Sequence, residues 1–302
     1  MVIAKLQGGL GNQMFQYAAG LSLARKRQTN LKLDISFLLD RAPKENFVLR
    51  DFDLEVFDVP ESVATPEEVR SFTRLTEPGT RSLLERLEDK MIRRSYFREE
   101  NGPFDCRVLD LSRRTYLDGY FQNEKYFEDI GAIIRQCFKF PEHQWELTPE
   151  GAALMDAITS SNSVCLNVRR GDYVTNPASH YWHGVCEKDY FLKAMTCLAE
   201  KVESPHYYVF SDDPAWCRES FSGMPNLTVV GHEHKGPRFV QYLWMMSQCK
   251  HFIIPNSSFA WWAAWLAKNP EKLILRPSVW FRAPEMKGVN ICPESWIAVD
   301  NA

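Results

Sequence analysis

The sequence has no C-x-x-C pair, no run of roughly twenty apolar residues, no block of lysine and arginine, and no G-x-G-x-x-G. Each absence removes a class of protein. Eight cysteines are scattered from Cys106 to Cys292 without the spacing of a zinc ribbon or a dithiol redox motif. Several lie inside apolar runs, as Cys165 does in "SVCLNV", which reads as reduced and mostly buried thiols in a cytoplasmic protein. Without a long apolar run no membrane-spanning helix is expected, and the start lacks the basic and apolar regions of a signal peptide. Membrane association is therefore expected to be peripheral at most. The formal net charge is -3, so no global basic field awaits a nucleic acid.

What is present is a near-regular alternation of short apolar runs and amphipathic stretches. Hydrophobic residues make up 45% and charged residues 25% of 302, a globular profile long enough for two domains. "VIAKL" reads as a buried strand, "GGLGNQ" as a glycine loop, "MFQYAAGLSLARKR" as a helix and "NLKLDISF" as a second strand. This is the opening of a Rossmann-like unit. "TPEEVRSF" carries a capping box, with Thr65 at the cap and Glu68 three residues on. "SLLERLEDKMIRR" and "FEDIGAIIRQCFKF" read as helices, and "TYLDGYFQNEKYF" as a strand running into a loop and helix. "PEHQWELTPEG" breaks the alternation, which places the domain boundary between 147 and 148. The alternation then restarts with "SVCLNV", "HYYVF", "LTVVG", "HFIIP" and "KLILRP" as strands. The class expected is α/β: two Rossmann-like domains, 1–147 and 148–302, each with a parallel sheet, facing a cleft.

In such sheets ligands bind beyond the carboxyl ends of the strands. Four apolar runs are followed there by polar groups: "QGGLGNQ", "RRGDYV", "SDDP" and "NSSF". Arg169 shares a strand face with Asn167 and suits a bidentate clamp on a diphosphate, whereas Arg170 and Asp172 have the makings of a structural ion pair. Asp212 and Asp213 before a proline are ordinary helix-start residues, and contiguous acids do not form a D-x-D metal site. Asn256, Ser257, Ser258 and Phe259 open a helix, where backbone amides offer an anion site and a serine offers a cap. Trp261 and Trp265 fall on one helical face and read as core. His232 and His234 lack a third metal ligand. His180 and His183 sit in a polar, aromatic loop suited to an acceptor.

Taken together, these pieces resemble the alpha-1,2-fucosyltransferases of glycosyltransferase family eleven. The resemblance is carried by "GGLGNQMFQYAAGL", "YLDGYFQNEKYF", "VRRGDYV", "YYVFSDDPAWC" and "NSSFAWWAAWL", in the family's order over nearly the whole chain. It implies a GT-B-type fold, a GDP-fucose donor, inverting transfer to the 2-hydroxyl of a galactose-terminated glycan, and no divalent metal or other cofactor. It implies that the second domain binds the donor and the first faces the acceptor. Arg169 would grip the diphosphate and Asp213 would read guanine. Ser257, Ser258 and Phe259, after Asn256, would lie at the phosphates and base. Gly9, Gly11, Asn12 and Gln13 would approach the same nucleotide sugar from the glycine loop, which explains a loop without a triphosphate-binding lysine. The sequence departs from the family at Asn167, where a histidine is usual, so no titrating group stands there. Asp172, His183, Glu187 and Asp189 are the candidates for a base that takes the acceptor's proton. Asp172 is preferred because it follows the arginines, with His183 on the acceptor. A nicotinamide-dependent oxidoreductase and a non-catalytic glycan-binding protein are the competing readings. The glycine spacing weakens the first; the second rests on the tryptophans and the open loops and predicts sugar binding that Arg169→Ala leaves unchanged.

Overall fold

The structure, a computed structural model, describes residues 1–42, 48–57, 59–73, 92, 95–100, 103–141, 147–231, 234 and 240–301. Apart from Ile92, the helix expected over "SLLERLEDKMIRR" lies outside the described residues, as does the histidine at 232. Two compact units, Met1–Lys139 and Phe140–Ala302, divide the chain a few residues before the proline-glycine break.

In the first unit five strands, β1 (Val2–Lys5), β2 (Leu31–Asp34), β3 (Ser62–Val63), β4 (Tyr96–Arg98) and β5 (Thr115–Asp118), form one sheet in the order β3-β2-β1-β5-β4. Every described pairing in it is parallel. β1 is central and its side chains are almost wholly buried, as a strand covered on both faces must be. Helix Leu10–Lys26 follows the glycine loop and packs back against β1. Its length comes from an unbroken series without proline, and it ends in Arg25 and Lys26, cations that suit the carbonyl end of the dipole. Phe15 and Tyr17 on this helix meet the rings of Phe127 and Phe138. Thr65 and Glu68 form the expected reciprocal cap: each backbone amide donates to the other's side chain, at 2.8 and 3.2 Å. The stretch after β5 is less helical than its periodicity predicts. Residues Glu124–Tyr126 and Glu128–Ile130 form 3-10 turns, and the α-helix covers only Gly131–Cys137.

The second unit has β6 (Ser163–Val168), β7 (His206–Ser211), β8 (Leu227–Val229), β9 (His251–Ile253), β10 (Ile274–Pro277) and β11 (Ile297–Val299), in the order β11-β10-β9-β6-β7-β8. These pairings too are parallel. Val164, Leu166 and Val168 of β6 join Tyr190, Phe191, Val209 and Ile253 in one buried cluster. Trp261, Trp262 and Trp265 are buried and pack on one another, so the tryptophan-rich helix Ser258–Leu266 is core and offers no stacking surface for a sugar. All eight cysteines are free, and five are buried.

Candidate functional site

The site of the second unit follows from strand register. β6 and β7 run in step, with Val168 opposite Ser211. The residues that leave these strands, Arg169–Arg170 and Asp212–Asp213, must therefore meet. Arg169 Nη1 lies 2.7 Å from Asp212 Oδ2, and Nη2 donates to Asp172 Oδ1. The other Asp212 oxygen accepts the Arg170 backbone amide at 2.8 Å. Burial works against the charged Arg169 guanidinium, but Asp212 and then Asp172 outweigh it and hold its pKa above the ordinary value.

This corrects the expected pairing. Asp172 joins Arg169, while Arg170 Nε lies 3.3 Å from Asp213 Oδ2 and its guanidinium covers the Trp216 ring. Asp213 also caps helix Pro214–Ser220, its Oδ1 accepting the Trp216 amide at 3.1 Å. Such a cap stabilises by about 1 kcal/mol, so the structural role weighed for the adjacent acids is real. Asp212 is the residue that sequence reasoning passed over. Gly171 marks it: a Cβ there would come 2.5 Å from Asp212 Oδ2.

The stretch holding His180 and His183, expected as a loop, contains the helix Pro177–His183, and a shorter helix, Gly171–Thr175, precedes it. Asn176 caps the second by accepting the Ser179 amide at 3.0 Å, and Pro177 starts it. The Tyr173 and His183 rings stack, with centroids 4.7 Å apart and planes at 6°. His183 Nδ1 is buried without a hydrogen-bond partner, and burial pushes its pKa down to about 4. His183 therefore stands neutral near Arg169 and Asp172 at ordinary pH.

Asn167, at the end of β6, donates to the Phe210 carbonyl at 3.0 Å, which fixes its amide. Asn256 is turned inward: its Nδ2 donates to the His183 and Trp280 carbonyls at 2.7 and 3.1 Å, and its own carbonyl accepts the Tyr173 hydroxyl. This side chain braces the helical hairpin, and the residue is 3% exposed. Ser257 is the cap residue of helix Ser258–Leu266 but makes no capping side-chain bond, unlike the plain serine cap that its type allows. Ser258 and Phe259 occupy the first turn, both part-exposed.

In the first unit, Gly8 takes φ +76°, a left-handed conformation that a glycine supplies without strain, and a Cβ there would meet Asn12 Nδ2 at 2.4 Å. Gly9 is the helix cap residue and Gly11 lies buried in the first turn. Asn12 accepts from Gln122 Nε2 at 2.7 Å. Gln13 is bonded to backbone as Asn256 is. Its Nε2 donates to the Gly8 and Asp51 carbonyls at 2.8 and 2.9 Å, and its Oε1 accepts the Asp53 and Leu54 amides at 3.0 and 3.2 Å. Fully buried, it staples the glycine loop to residues 51–54. Beside it, burial and Asp51 push the Asp53 carboxyl up to about 6, a titrating group that nothing in the sequence pattern announced.

Among the described residues no group of three or more His, Cys, Asp or Glu side chains is placed to hold a metal. Nor is any helix among them long and apolar enough to cross a membrane.

The profile of glycosyl transferase family 11 matches residues 61–300. The chain belongs to glycosyl transferase family 11. It is 31% identical to the alpha-1,2-colitosyltransferase of Escherichia coli, over 99% of both chains. It is 29% identical to the galactoside 2-alpha-L-fucosyltransferase SEC1 of Bos taurus over 50% of this chain and 42% of that one. The crystal structure of the fucosyltransferase NodZ from Bradyrhizobium covers 87% of this chain and 92% of its own, at 15% identity and a TM-score of 0.45. A family 11 chain is a glycosyltransferase, and the oxidoreductase and non-catalytic readings fall with that assignment.

Proposed function

We propose that this family 11 glycosyltransferase moves L-fucose from GDP-β-L-fucose to the 2-hydroxyl of a terminal galactose on a glycan or surface-glycan precursor, with inversion and without a divalent metal. The observation that carries the reading is the Arg169 fork, held at the carboxyl end of β6 by Asp212 and Asp172. Breaking the sugar–phosphate bond leaves negative charge on GDP, and a pre-aligned guanidinium stabilises that leaving group. The donor belongs to the second unit, with Asp213, Asn167, Ser257, Ser258 and Phe259 around it. The acceptor is assigned to the first unit, and His183 to the acceptor. Because the side chains of Gln13 and Asn256 are fully committed, their part in donor binding is to hold backbone in place. Asp172 remains our choice for the base: a diphosphate that takes over Arg169 Nη2 frees the carboxylate to accept the acceptor's proton.

A second donor is favoured by one observation, the identity of 31% over 99% of the chain to a colitosyltransferase. Colitose is L-fucose without its 3-hydroxyl, so the same phosphate and guanine contacts serve either nucleotide sugar. Competition between GDP-fucose and GDP-colitose at one galactose-ended acceptor, read by product mass, separates the two. A preference for GDP-colitose would overturn the fucose assignment and leave the Arg169 mechanism standing.

A further inference from the structure

Away from the strand ends that carry the site, the first unit gathers cations at the opposite edge of its sheet. An open pocket of about 490 Å³ there has Lys26, Arg27, Asp110, Leu111, Ser112 and Arg113 among its lining residues. Lys26 and Arg27 come from the short run Arg25–Lys26–Arg27, and the fold adds Arg113 from a distant part of the chain. Helix Leu10–Lys26 runs back from the glycine loop to the amino ends of the strands. β5 begins level with β1, Thr115 opposite Val2, so residues 111–113 arrive at the same edge. Arg27 locks the two together by donating to the Leu111 and Leu109 carbonyls at 2.6 and 3.3 Å.

The helix dipole accounts for cations in a last turn, but Arg113 is not on that helix. One acid lines the pocket. Asp110 lies 3.9 Å from Lys26 Nζ and 3.5 Å from Arg27 Nη2, and its side chain is 82% exposed, so solvent screens it from both. Three cations against one acid thus stand together in a chain whose net charge is -3.

We propose that this pocket and its rim dock the protein on an anionic phospholipid bilayer, with headgroup phosphates meeting Lys26, Arg27 and Arg113. An anionic membrane surface attracts basic groups within a Debye length, about five-fold in affinity for each one. No aromatic ring lines the pocket, so it offers nothing for nucleic-acid bases to stack on. Its position at the amino ends of the strands leaves the glycine loop open in the docked protein.

The test is co-sedimentation of the full chain with vesicles of phosphatidylglycerol and phosphatidylcholine, against phosphatidylcholine alone, without any nucleotide sugar. Binding confined to the anionic vesicles and weakened by salt is expected. Lys26→Gln with Arg113→Gln should weaken it about 30-fold, and Lys26→Arg with Arg113→Lys should preserve it. Asp110→Asn, on an exposed side chain that folding does not need, should tighten it about five-fold. Wild-type protein that ignores anionic vesicles at low salt overturns the proposal. So do charge variants that bind like wild type, or capture by a nucleic-acid duplex in place of vesicles. Because no donor is present, this result stands or falls apart from the transfer reaction.

Discussion

Asp212 ties two consecutive arginines to the end of β7: one carboxylate oxygen sits 2.7 Å from Arg169 Nη1, and the other accepts the Arg170 amide at 2.8 Å. Asp212→Ala removes both contacts and should raise the KM for the nucleotide sugar about 10- to 100-fold, the range for a hydrogen bond to a charged group. Asp212→Asn keeps an acceptor for the Arg170 amide and should fall between that variant and wild type. Steady-state kinetics with unchanged KM in Asp212→Ala would show that the carboxylate does not align the fork.

Two glycines should respond differently to the same methyl group. In Gly171→Ala the new Cβ would lie 2.5 Å from Asp212 Oδ2, so the carboxylate must move and donor binding should suffer with little change in overall fold. At Gly9 the nearest atom to an added Cβ is Arg50 Nε at 3.9 Å, an ordinary contact. Gly9→Ala should therefore melt like wild type, and any loss of turnover in it reports crowding of a ligand. A large drop in its melting temperature would refute this account of the loop.

Gln13→Ala should be a folding defect before it is a catalytic one. It strands the Asp53 and Leu54 amides and two carbonyls in a closed environment, at a cost of about 3 kcal/mol. Urea denaturation measures this directly. A variant of wild-type stability with weakened donor binding would return Gln13 to the ligand.

The pH dependence carries a sign. His183 has a folded pKa of about 4 against 6.5 in the unfolded chain, so the unfolded state binds the extra proton first. The stability that neutral His183 contributes is complete above pH 6.5 and is lost as pH falls toward 4, about 3 kcal/mol in all. Asp53 has the opposite sign, its raised pKa favouring the folded state on acidification. The comparison of wild type with His183→Phe isolates the first effect. A stability difference that does not change between pH 7 and pH 4 would rule it out.

Strands β1, β2 and β5 of the first unit and β6 to β10 of the second were legible because parallel α/β chains announce strands as short apolar runs bounded by glycine, proline and charge, whereas β3, β4 and β11, two or three residues each, are too short to show a pattern. The place of Arg169 at the end of β6 was legible as well, since it directly follows such a run. Its partners were not. Which carboxylate it meets depends on β6 lying beside β7 in step, a pairing that local sequence does not encode. The same limit explains Gln13 and Asn256. Each reads as a polar residue at a strand end, and only the fold shows its amide consumed by backbone from residues 51–54 or from Trp280. The helices at Gly171–Thr175 and Pro177–His183 escaped because their signals, a capping Asn176 and a following Pro177, resemble those of a turn.

The most direct test of the account is the release of GDP from GDP-fucose with lactose as acceptor, in excess EDTA, for wild type and Arg169→Ala. A fucosylated product linked at the galactose 2-hydroxyl, unaffected by EDTA and reduced at least about 100-fold in Arg169→Ala, is the predicted result. Turnover that survives Arg169→Ala, or that disappears with EDTA, would contradict a metal-free transferase built on that fork.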